Sequence, residues 1–336
     1  MQKRIEGYDL IRTTAILVVF IGHTLGNKIT NEAGLLALRS LSPGLTMSLL
    51  GFISAALLSG KKYDFGVFLI KRFTRIYISL GLCLFFVLSI HAWLGKNVIN
   101  QHVILHLMGL SAFFGIFLVE NKATIGNGLW FITAINLMYL MFPLLERLFK
   151  HARGFLHLVS IVVLCTVLNF VMYGMASTWN VVISFAVGVY LGVNDKNSRL
   201  NITGIIRPLL GSIGLLFLVA LATAGVLPYA VRELLFAFYP LMFVPLFFAV
   251  SERISKPLAA ASGFFAGLSF EFYILHFYFI TNFLPKWFED FFPLSISLSM
   301  QVLASFIITL GAAYVMSQAA SWLRKMAVGY LLESRH

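Results

Sequence analysis

Long apolar runs separated by short polar segments dominate this sequence. A helix that crosses a bilayer needs about 20 mostly apolar residues, and runs close to this length recur along the chain. We predict ten transmembrane helices, at residues 9–26, 43–60, 76–95, 130–149, 155–174, 178–193, 205–226, 231–250, 264–283 and 298–322. The pattern therefore predicts an all-α, polytopic integral membrane protein.

An eleventh apolar run, at residues 102–118, begins with two histidines and ends at Glu120. Basic residues decide its placement, because short cytoplasmic loops carry an excess of Lys and Arg. If the run does not cross and the N-terminus is cytoplasmic, 18 basic residues, Arg324 among them, lie inside and 6 lie outside. If it crosses, every later loop changes sides and the asymmetry collapses. We therefore predict cytoplasmic termini and a re-entrant or interfacial segment near 102–118 on the outer side.

Composition supports the membrane interpretation. The chain is 60% apolar and 11% charged, whereas soluble domains are roughly 45–50% apolar and about 25% charged. The net charge of +12 lies in short loops, where orientation in the bilayer explains it, so we expect no nucleic-acid partner. Cys83 and Cys165 lie inside apolar runs, a placement that fits neither a disulfide framework nor a metal site.

Ionisable residues inside predicted spans are functional candidates, because charge is unfavourable in lipid. Arg12 and His23 of the first span are eleven residues apart, so they share a helix face about 16 Å apart along the axis. A cation near the cytoplasm with a titratable ring deeper in suits a long anionic donor. The structural alternative is that Arg12 pairs with Asp9 one turn away, while His23 bonds to a neighbouring helix.

A basic segment precedes the third predicted span. Lys71, Arg72 and Arg75 lie there, and the two arginines share a helix face at i and i+3. Guanidinium groups are well suited to phosphate oxygens. The alternative is an ordinary positive anchor at the cytoplasmic surface.

The ninth span contains Glu271, the only acidic residue deep in a predicted span. It could hold a proton, orient a histidine or pair with an arginine. His276 lies nearer the outer surface. Trp130, after the Gly126-Asn127-Gly128 segment, opens the fourth span, which indicates either an interfacial aromatic belt or a close approach to a ligand.

These four segments, taken together and in order, resemble the membrane acyltransferase-3 family, whose members mostly O-acetylate surface glycans. Residues 12–23 are similar to the family's Arg-x10-His motif, and residues 71–77 to its Arg-x-x-Arg segment. Residues 129–143 resemble its Leu-Trp-Phe-Leu block, and residues 269–276 its Ser-x-x-x-Tyr-Leu-x-His block.

The resemblance implies one acyltransferase-3 domain over residues 1–336, in a bacterial cytoplasmic membrane. It implies acetyl-CoA as the acyl donor and a hydroxyl of a surface or lipid-linked glycan as the acceptor, with lipid as the surroundings and no metal. His23 is expected to accept the hydroxyl proton or to carry the acyl group, and Glu271 to orient the imidazole. The expected catalytic residues are His23, Glu271 and Arg12. The expected donor-binding residues are Arg72, Arg75, Arg12 and Lys71, and the expected acceptor-binding residues are Trp130, Asn127, Tyr273 and His276.

One departure from the family concerns the acceptor. Many members carry acidic residues five or six positions after the Trp, where this chain has Ile135 and Asn136, so a different acceptor is expected. The main rival class is a transporter of glycans or lipid-linked sugars, such as a flippase. A non-catalytic scaffold is a third possibility, against which the buried Arg, His and Glu argue. The sequence leaves the acyl chain length and the oligomeric state open.

Overall fold

The chain is helical throughout the part that the computed structural model describes, and that part contains no strand. The structure describes residues 6–26, 43–61, 63–95, 100–117, 119–122, 125–126, 128–172, 176–194, 206–224, 226, 229–280 and 294–333. The helices are α1 (Glu6–Gly26), α2 (Pro43–Leu58), α3 (Phe65–Trp93), α4 (Gln101–Leu107), α5 (Phe113–Ile116), α6 (Trp130–Phe149), α7 (Gly154–Val171), α8 (Ala176–Asn194), α9 (Ile206–Thr223), α10 (Tyr229–Phe238), α11 (Pro240–Ser251), α12 (Lys256–Tyr278) and α13 (Leu294–Glu333).

Seven helical stretches in the described ranges are long and apolar enough to cross a membrane. They are Glu6–Leu25, Phe65–Trp93, Trp130–Phe149, Gly154–Val171, Leu234–Ser251, Lys256–Tyr278 and Leu298–Ala327. Three shorter apolar helices, Thr46–Leu58, Thr178–Asn194 and Leu209–Leu221, lie where the other predicted spans fall. The prediction of a multi-pass helical membrane protein is thus confirmed, while the number ten and the cytoplasmic termini stay predictions.

Several helix bounds differ from the predicted ones for local reasons. Helix α3 begins at Phe65, well before the predicted start at residue 76, because the Asp64 side chain caps it by accepting the Val67 N–H at 2.8 Å. The predicted span 231–250 is two helices that meet at Tyr239, where Pro240 has no N–H to continue the hydrogen-bond ladder. Helix α13 is 40 residues long and extends past the predicted end at 322.

The apolar run at 102–118 forms two short helices, α4 and α5, which we call the α4–α5 hairpin. A seven-residue helix is only about 10 Å long, so neither helix crosses a bilayer. At the turn, the Tyr77 hydroxyl donates to the Met108 carbonyl at 2.8 Å. Tyr77 lies about 24 Å along α3 from its end at Trp93. The turn thus reaches far along α3, which favours the re-entrant alternative over the interfacial one.

The contacts divide the chain into two compact units. The first comprises residues within 1–62, 115–117 and 137–266. Helices α2 and α8 pack closely in it, since a Cβ on Gly188 would lie 2.7 Å from the Phe52 carbonyl oxygen. Such small residues let membrane helices approach each other. Helix α1 packs on α2 and α11 and carries Arg12 and His23.

The second unit comprises residues within 63–114, 118–136 and 267–336. Helix α3 packs along α13 and also contacts α4. Aromatic side chains fill this core, including a ring pair of Phe272 and Phe306 with centroids 5.7 Å apart. The unit carries the basic segment of α3, the first turns of α6 and the end of α12, which together supply most of the predicted site residues.

Candidate functional site

Glu271 lies at the centre of a buried polar cluster in the second unit. It is 3% exposed, and its Oε1 accepts a hydrogen bond from Ser79 Oγ at 2.6 Å. Arg324 Nη1 lies 3.7 Å from the same Oε1 and donates to Ser79 Oγ at 3.0 Å. This Glu271 cluster (Ser79, Glu271 and Arg324) joins α3, α12 and α13. Paired charges of this kind satisfy one another where water is scarce.

The cluster decides between the roles that the sequence leaves open for Glu271. Its described partners are an arginine and a serine, so the arginine alternative is the one that the structure shows. The expected action of Glu271 on the His23 imidazole stays a prediction. The sequence places Arg324 after the last span because hydropathy falls there, but α13 continues to Glu333. Pairing with a residue over fifty positions away leaves no local signal in the sequence.

The basic residues of α3 lie beside this cluster. Arg75 is exposed and lies one turn before Ser79 on the same helix face. Its charge acts on Arg324, which pairs with Glu271, so the two arginines outnumber the single carboxylate of the cluster. Arg72 is half-buried, with its guanidinium carbon 5.7 Å from the centre of the Phe68 ring. Lys71 is exposed. Excess cationic groups around Ser79 favour an anionic ligand.

Distance along the helices places Ser79 and Glu271 far from the helix ends. Ser79 lies about 21 Å along α3 from Phe65, and Glu271 about 22 Å along α12 from Lys256. Arg75 is about 15 Å from the start of α3. Ser79 and Glu271 thus lie well inside candidate spans, whereas Arg72 and Arg75 lie at the start of the apolar part of α3, since residues 76–93 alone extend about 27 Å. The Ser79–Glu271 contact is therefore inside candidate spans, while the functional role of the basic segment stays a prediction.

Tyr273 fixes the first turn of α6. Its hydroxyl donates to the Gly128 carbonyl and accepts the Phe131 N–H at 3.3 Å. Gly128 has a φ of 81°, a conformation that favours glycine. Trp130, half-buried, packs edge-on against Phe131 with centroids 6.1 Å apart. Tyr273 thus positions the turn that presents Trp130, and its own binding of substrate stays a prediction. Asn127 lies outside the described residues.

His276 is buried at 1% exposure one turn after Tyr273. Its Nδ1 lies 2.6 Å from the Tyr273 carbonyl oxygen, and since a carbonyl only accepts, Nδ1 carries the hydrogen. The ring is parallel to Phe272, with an interplanar angle of 4°. The structure therefore shows His276 anchored to its own helix, and its predicted contact with the acceptor is untested.

Arg12 and His23 both lie on α1, in the first unit. Because α1 is one continuous helix, the two side chains share a face, as predicted. Arg12 Nη1 is 4.0 Å from Asp9 Oδ1, with the arginine side chain 30% exposed. This contact is the Arg12–Asp9 pair that the structural alternative predicts, but an ion pair this long and this exposed contributes little to stability. His23 is half-buried in the last turn. Their catalytic and donor-binding roles stay predictions.

Asn136, one of the two departures from the family pattern, meets the turn of the α4–α5 hairpin. Its Nδ2 donates to the Tyr77 hydroxyl at 3.0 Å, and Tyr77 donates onward to Met108. Its Oδ1 is buried and has no hydrogen-bond partner in the described part of the chain. Buried polar atoms without partners are rare and call for an explanation. Sequence reasoning identified the position but not this contact.

The fold and the site define a multi-pass helical membrane protein with an ion pair and further basic side chains inside its candidate spans. A sequence profile described as an acyltransferase domain matches residues 5–318, which include parts of both units. The chain belongs to the acyltransferase-3 family. Neither a curated protein nor a solved structure matches it.

Proposed function

We propose that this acyltransferase moves an acetyl group from cytoplasmic acetyl-CoA to a hydroxyl of a cell-surface polysaccharide or lipid-linked glycan, in a bacterial cytoplasmic membrane. The observation that supports this most is the cationic group around Ser79. Arg324 pairs with the Glu271 carboxylate there, and the charge of Arg75 acts on Arg324. A neutral donor would have no negative charge to pair with these arginines, whereas coenzyme A carries several phosphate groups.

In this proposal, Arg72, Arg75 and Arg324 bind the phosphate groups of the donor, with Lys71 and Arg12 as further contacts. Guanidinium groups form paired, charge-assisted hydrogen bonds to phosphate oxygens. Glu271 and Ser79 hold the Arg324 side chain in one position, so less conformational entropy is lost when the donor binds. Glu271 is therefore a positioning residue for donor binding rather than a proton donor.

His23 is the proposed base. A neutral imidazole accepts the proton of the acceptor hydroxyl while that oxygen attacks the thioester carbonyl. The new C–O bond forms, the C–S bond breaks, and the proton passes to the departing thiolate. An acyl-histidine that forms first and is then attacked by the hydroxyl is the alternative. On the acceptor side, the Trp130 ring offers a face on which a sugar can stack. Asn127, three residues before it in sequence, and Tyr273 and His276, both on α12, are the further proposed contacts.

The decisive experiment is acetyl transfer by the purified protein in nanodiscs. Labelled acetyl-CoA and a glycan extract are supplied, and surface glycans from cells with and without the gene are compared by mass spectrometry. We expect an acetyl group on the glycan only when the protein is present.

Variants test the proposed base. His23→Ala should abolish transfer and leave the protein folded, whereas His157→Ala, which replaces a half-buried histidine of α7, should keep transfer. Movement of glycan across the membrane without label transfer would replace this proposal with the transporter.

A further inference from the structure

The α4–α5 hairpin contains a second histidine site that the proposed function does not use. His106 is 1% exposed and Ser111 is 8% exposed. The His106 Nδ1 lies 2.8 Å from Ser111 Oγ, and its Nε2 lies 3.1 Å from Asn121 Oδ1. We call His106, Ser111 and Asn121 the hairpin triad.

The hydrogen bonds of the hairpin triad determine where its protons lie. Asn121 Nδ2 donates to the Ile125 carbonyl at 3.0 Å, so the amide is oriented with Oδ1 toward the ring. An amide oxygen only accepts, and His106 Nε2 therefore carries the hydrogen. In a neutral ring Nδ1 is then an acceptor, and the Ser111 hydroxyl donates to it. This order, from hydroxyl to imidazole to an orienting group, is that of an activated serine nucleophile.

The surroundings keep the imidazole neutral and fixed. Burial lowers the pKa of His106, and the charge of His102 lowers it further, although the hydrogen bond to Asn121 acts in the opposite direction. The ring stacks on Phe114 with centroids 5.0 Å apart. A Cβ on Gly126 would lie 2.1 Å from ring atoms of His106, so only glycine fits there. A neutral, immobilised base next to a hydroxyl is organised to accept its proton.

The hairpin is also held where an acceptor hydroxyl could bind. The Thr133 hydroxyl donates to the Gly109 carbonyl at 2.8 Å and accepts the Ala112 N–H at 3.1 Å, on either side of Ser111. Beside the same turn, Asn136 presents its buried Oδ1 without a partner in the described part of the chain. A sugar hydroxyl could supply the missing donor. A purely structural hairpin would not need this orphan acceptor.

We propose that Ser111 is an acyl-carrying nucleophile: its Oγ takes the acyl group from the thioester donor and passes it to a glycan hydroxyl. In the first step the Ser111 Oγ–C bond forms and the C–S bond breaks, while the hydroxyl proton moves to His106 Nδ1 and then to the thiolate. In the second step the glycan oxygen attacks the acyl-serine ester: the glycan O–C bond forms, the Ser111 Oγ–C bond breaks, and the glycan proton passes through His106 Nδ1 to Ser111 Oγ. Asn121 orients the ring in both steps. The inference rests on the proposed acyltransferase function, but it replaces the single direct transfer with two transfers in which His106, rather than His23, accepts each hydroxyl proton.

The test is direct detection of the intermediate. Full-length protein in nanodiscs is incubated with labelled acetyl-CoA and no acceptor, quenched in acid and analysed by peptide mass spectrometry. We expect the peptide that contains Ser111 to gain one acetyl group, and adding glycan extract should remove it. Ser111→Ala should abolish the label and lower turnover by roughly 10²–10⁴-fold. Ser111→Cys should trap the label as a thioester that neutral hydroxylamine cleaves.

Two comparisons separate this role from a structural one. Thr133→Val weakens the anchor of the hairpin but keeps the triad, so it should slow turnover and still allow the label on Ser111. Equal loss of turnover in Thr133→Val and Ser111→Ala, with no acetyl-Ser111 in the wild type, would mean that Ser111 only supports the hairpin. Normal transfer by Ser111→Ala, or transfer by the wild type with no acetyl-Ser111 under single-turnover conditions, overturns the inference and leaves the proposed function intact. No transfer by the wild type at all instead refutes the proposed function.

Discussion

At the scale of single residues, the two arginines of α3 give the most direct test of donor binding. Replacing Arg72 and Arg75 with Ala removes guanidinium contacts that are each expected to contribute about 1.5–3 kcal/mol to phosphate binding. We expect the apparent KM for acetyl-CoA to rise at least tenfold, with a smaller change in kcat. Steady-state kinetics in nanodiscs measure both. Arg153→Ala, an exposed arginine at the start of α7, is the matched control.

A comparison of donors sharpens this prediction. Removing the 3′-phosphate from acetyl-CoA should weaken binding to the wild type. It should have less effect on a variant in which the arginine that binds this phosphate is replaced with Ala. Comparing the effect of the missing phosphate in the wild type and in each arginine variant shows which arginine binds which phosphate. If the Arg72→Ala, Arg75→Ala protein keeps the wild-type KM, these residues revert to a surface anchor.

The Glu271 cluster makes a second prediction at this scale. Arg324→Gln leaves a buried carboxylate without its counter-ion, which costs several kcal/mol when the pair is fully buried. Because the arginine is 23% exposed, we expect a loss between those of exposed and fully buried pairs, about 2 kcal/mol. Thermal unfolding in detergent should show a lower Tm for Arg324→Gln and partial recovery in the double variant with Glu271→Gln. A double variant less stable than either single one would contradict the pairing.

The donor-side residues show how far sequence reasoning reached. Arg72, Arg75 and Glu271 could be identified because charge stands out against apolar spans. The partners of Glu271, Ser79 and Arg324, could not, because the partnership depends on how α3, α12 and α13 pack. Ser79 is also too common a residue type to be noticed, and Arg324 lies where falling hydropathy suggests a loop. Contacts between distant helices are decided by packing, which periodicity within one helix does not encode.

At the scale of elements, the α4–α5 hairpin is the feature that hydropathy could only describe as ambiguous. Its run is apolar, but it breaks at the turn near Gly109, where φ is 69°. A Cβ there would lie 2.6 Å from Asn136 Nδ2. The sequence gives no warning that this turn must approach α6 so closely. The turn of the hairpin thus depends on one glycine conformation and the hydrogen bonds of Tyr77 and Thr133 rather than on apolar periodicity.

The Gly126→Ala variant tests whether activity requires the His106 ring to stay in its position. In Gly126→Ala the new methyl group would occupy the space of the His106 ring, and the φ of 91° would strain any L-residue. We expect displacement of the ring, a lower Tm and a turnover reduced at least tenfold. Gly81→Ala is the matched control, because a Cβ at that position meets nothing within 4 Å. Wild-type turnover in Gly126→Ala would show that the ring position does not matter.

At the scale of the whole molecule, the orientation of the chain in the membrane rests on the distribution of basic residues. The described helices agree with the predicted spans in type and order, since apolar length is a property that composition carries directly. They do not determine which side each end faces. Orientation matters to the proposed function because the basic segment of α3 must face the compartment that contains coenzyme A.

Accessibility of single cysteines measures this orientation. Cys83 and Cys165 are buried, and both are first replaced with Ala. Glu120→Cys and Lys256→Cys are then made separately, at exposed positions that the predicted topology places outside and inside, respectively. A membrane-impermeant maleimide added to spheroplasts should label Glu120→Cys at once and Lys256→Cys only after permeabilisation. If residues 102–118 crossed the membrane, Lys256→Cys would react from outside, the basic residues would lose their asymmetry, and the hairpin could not be re-entrant.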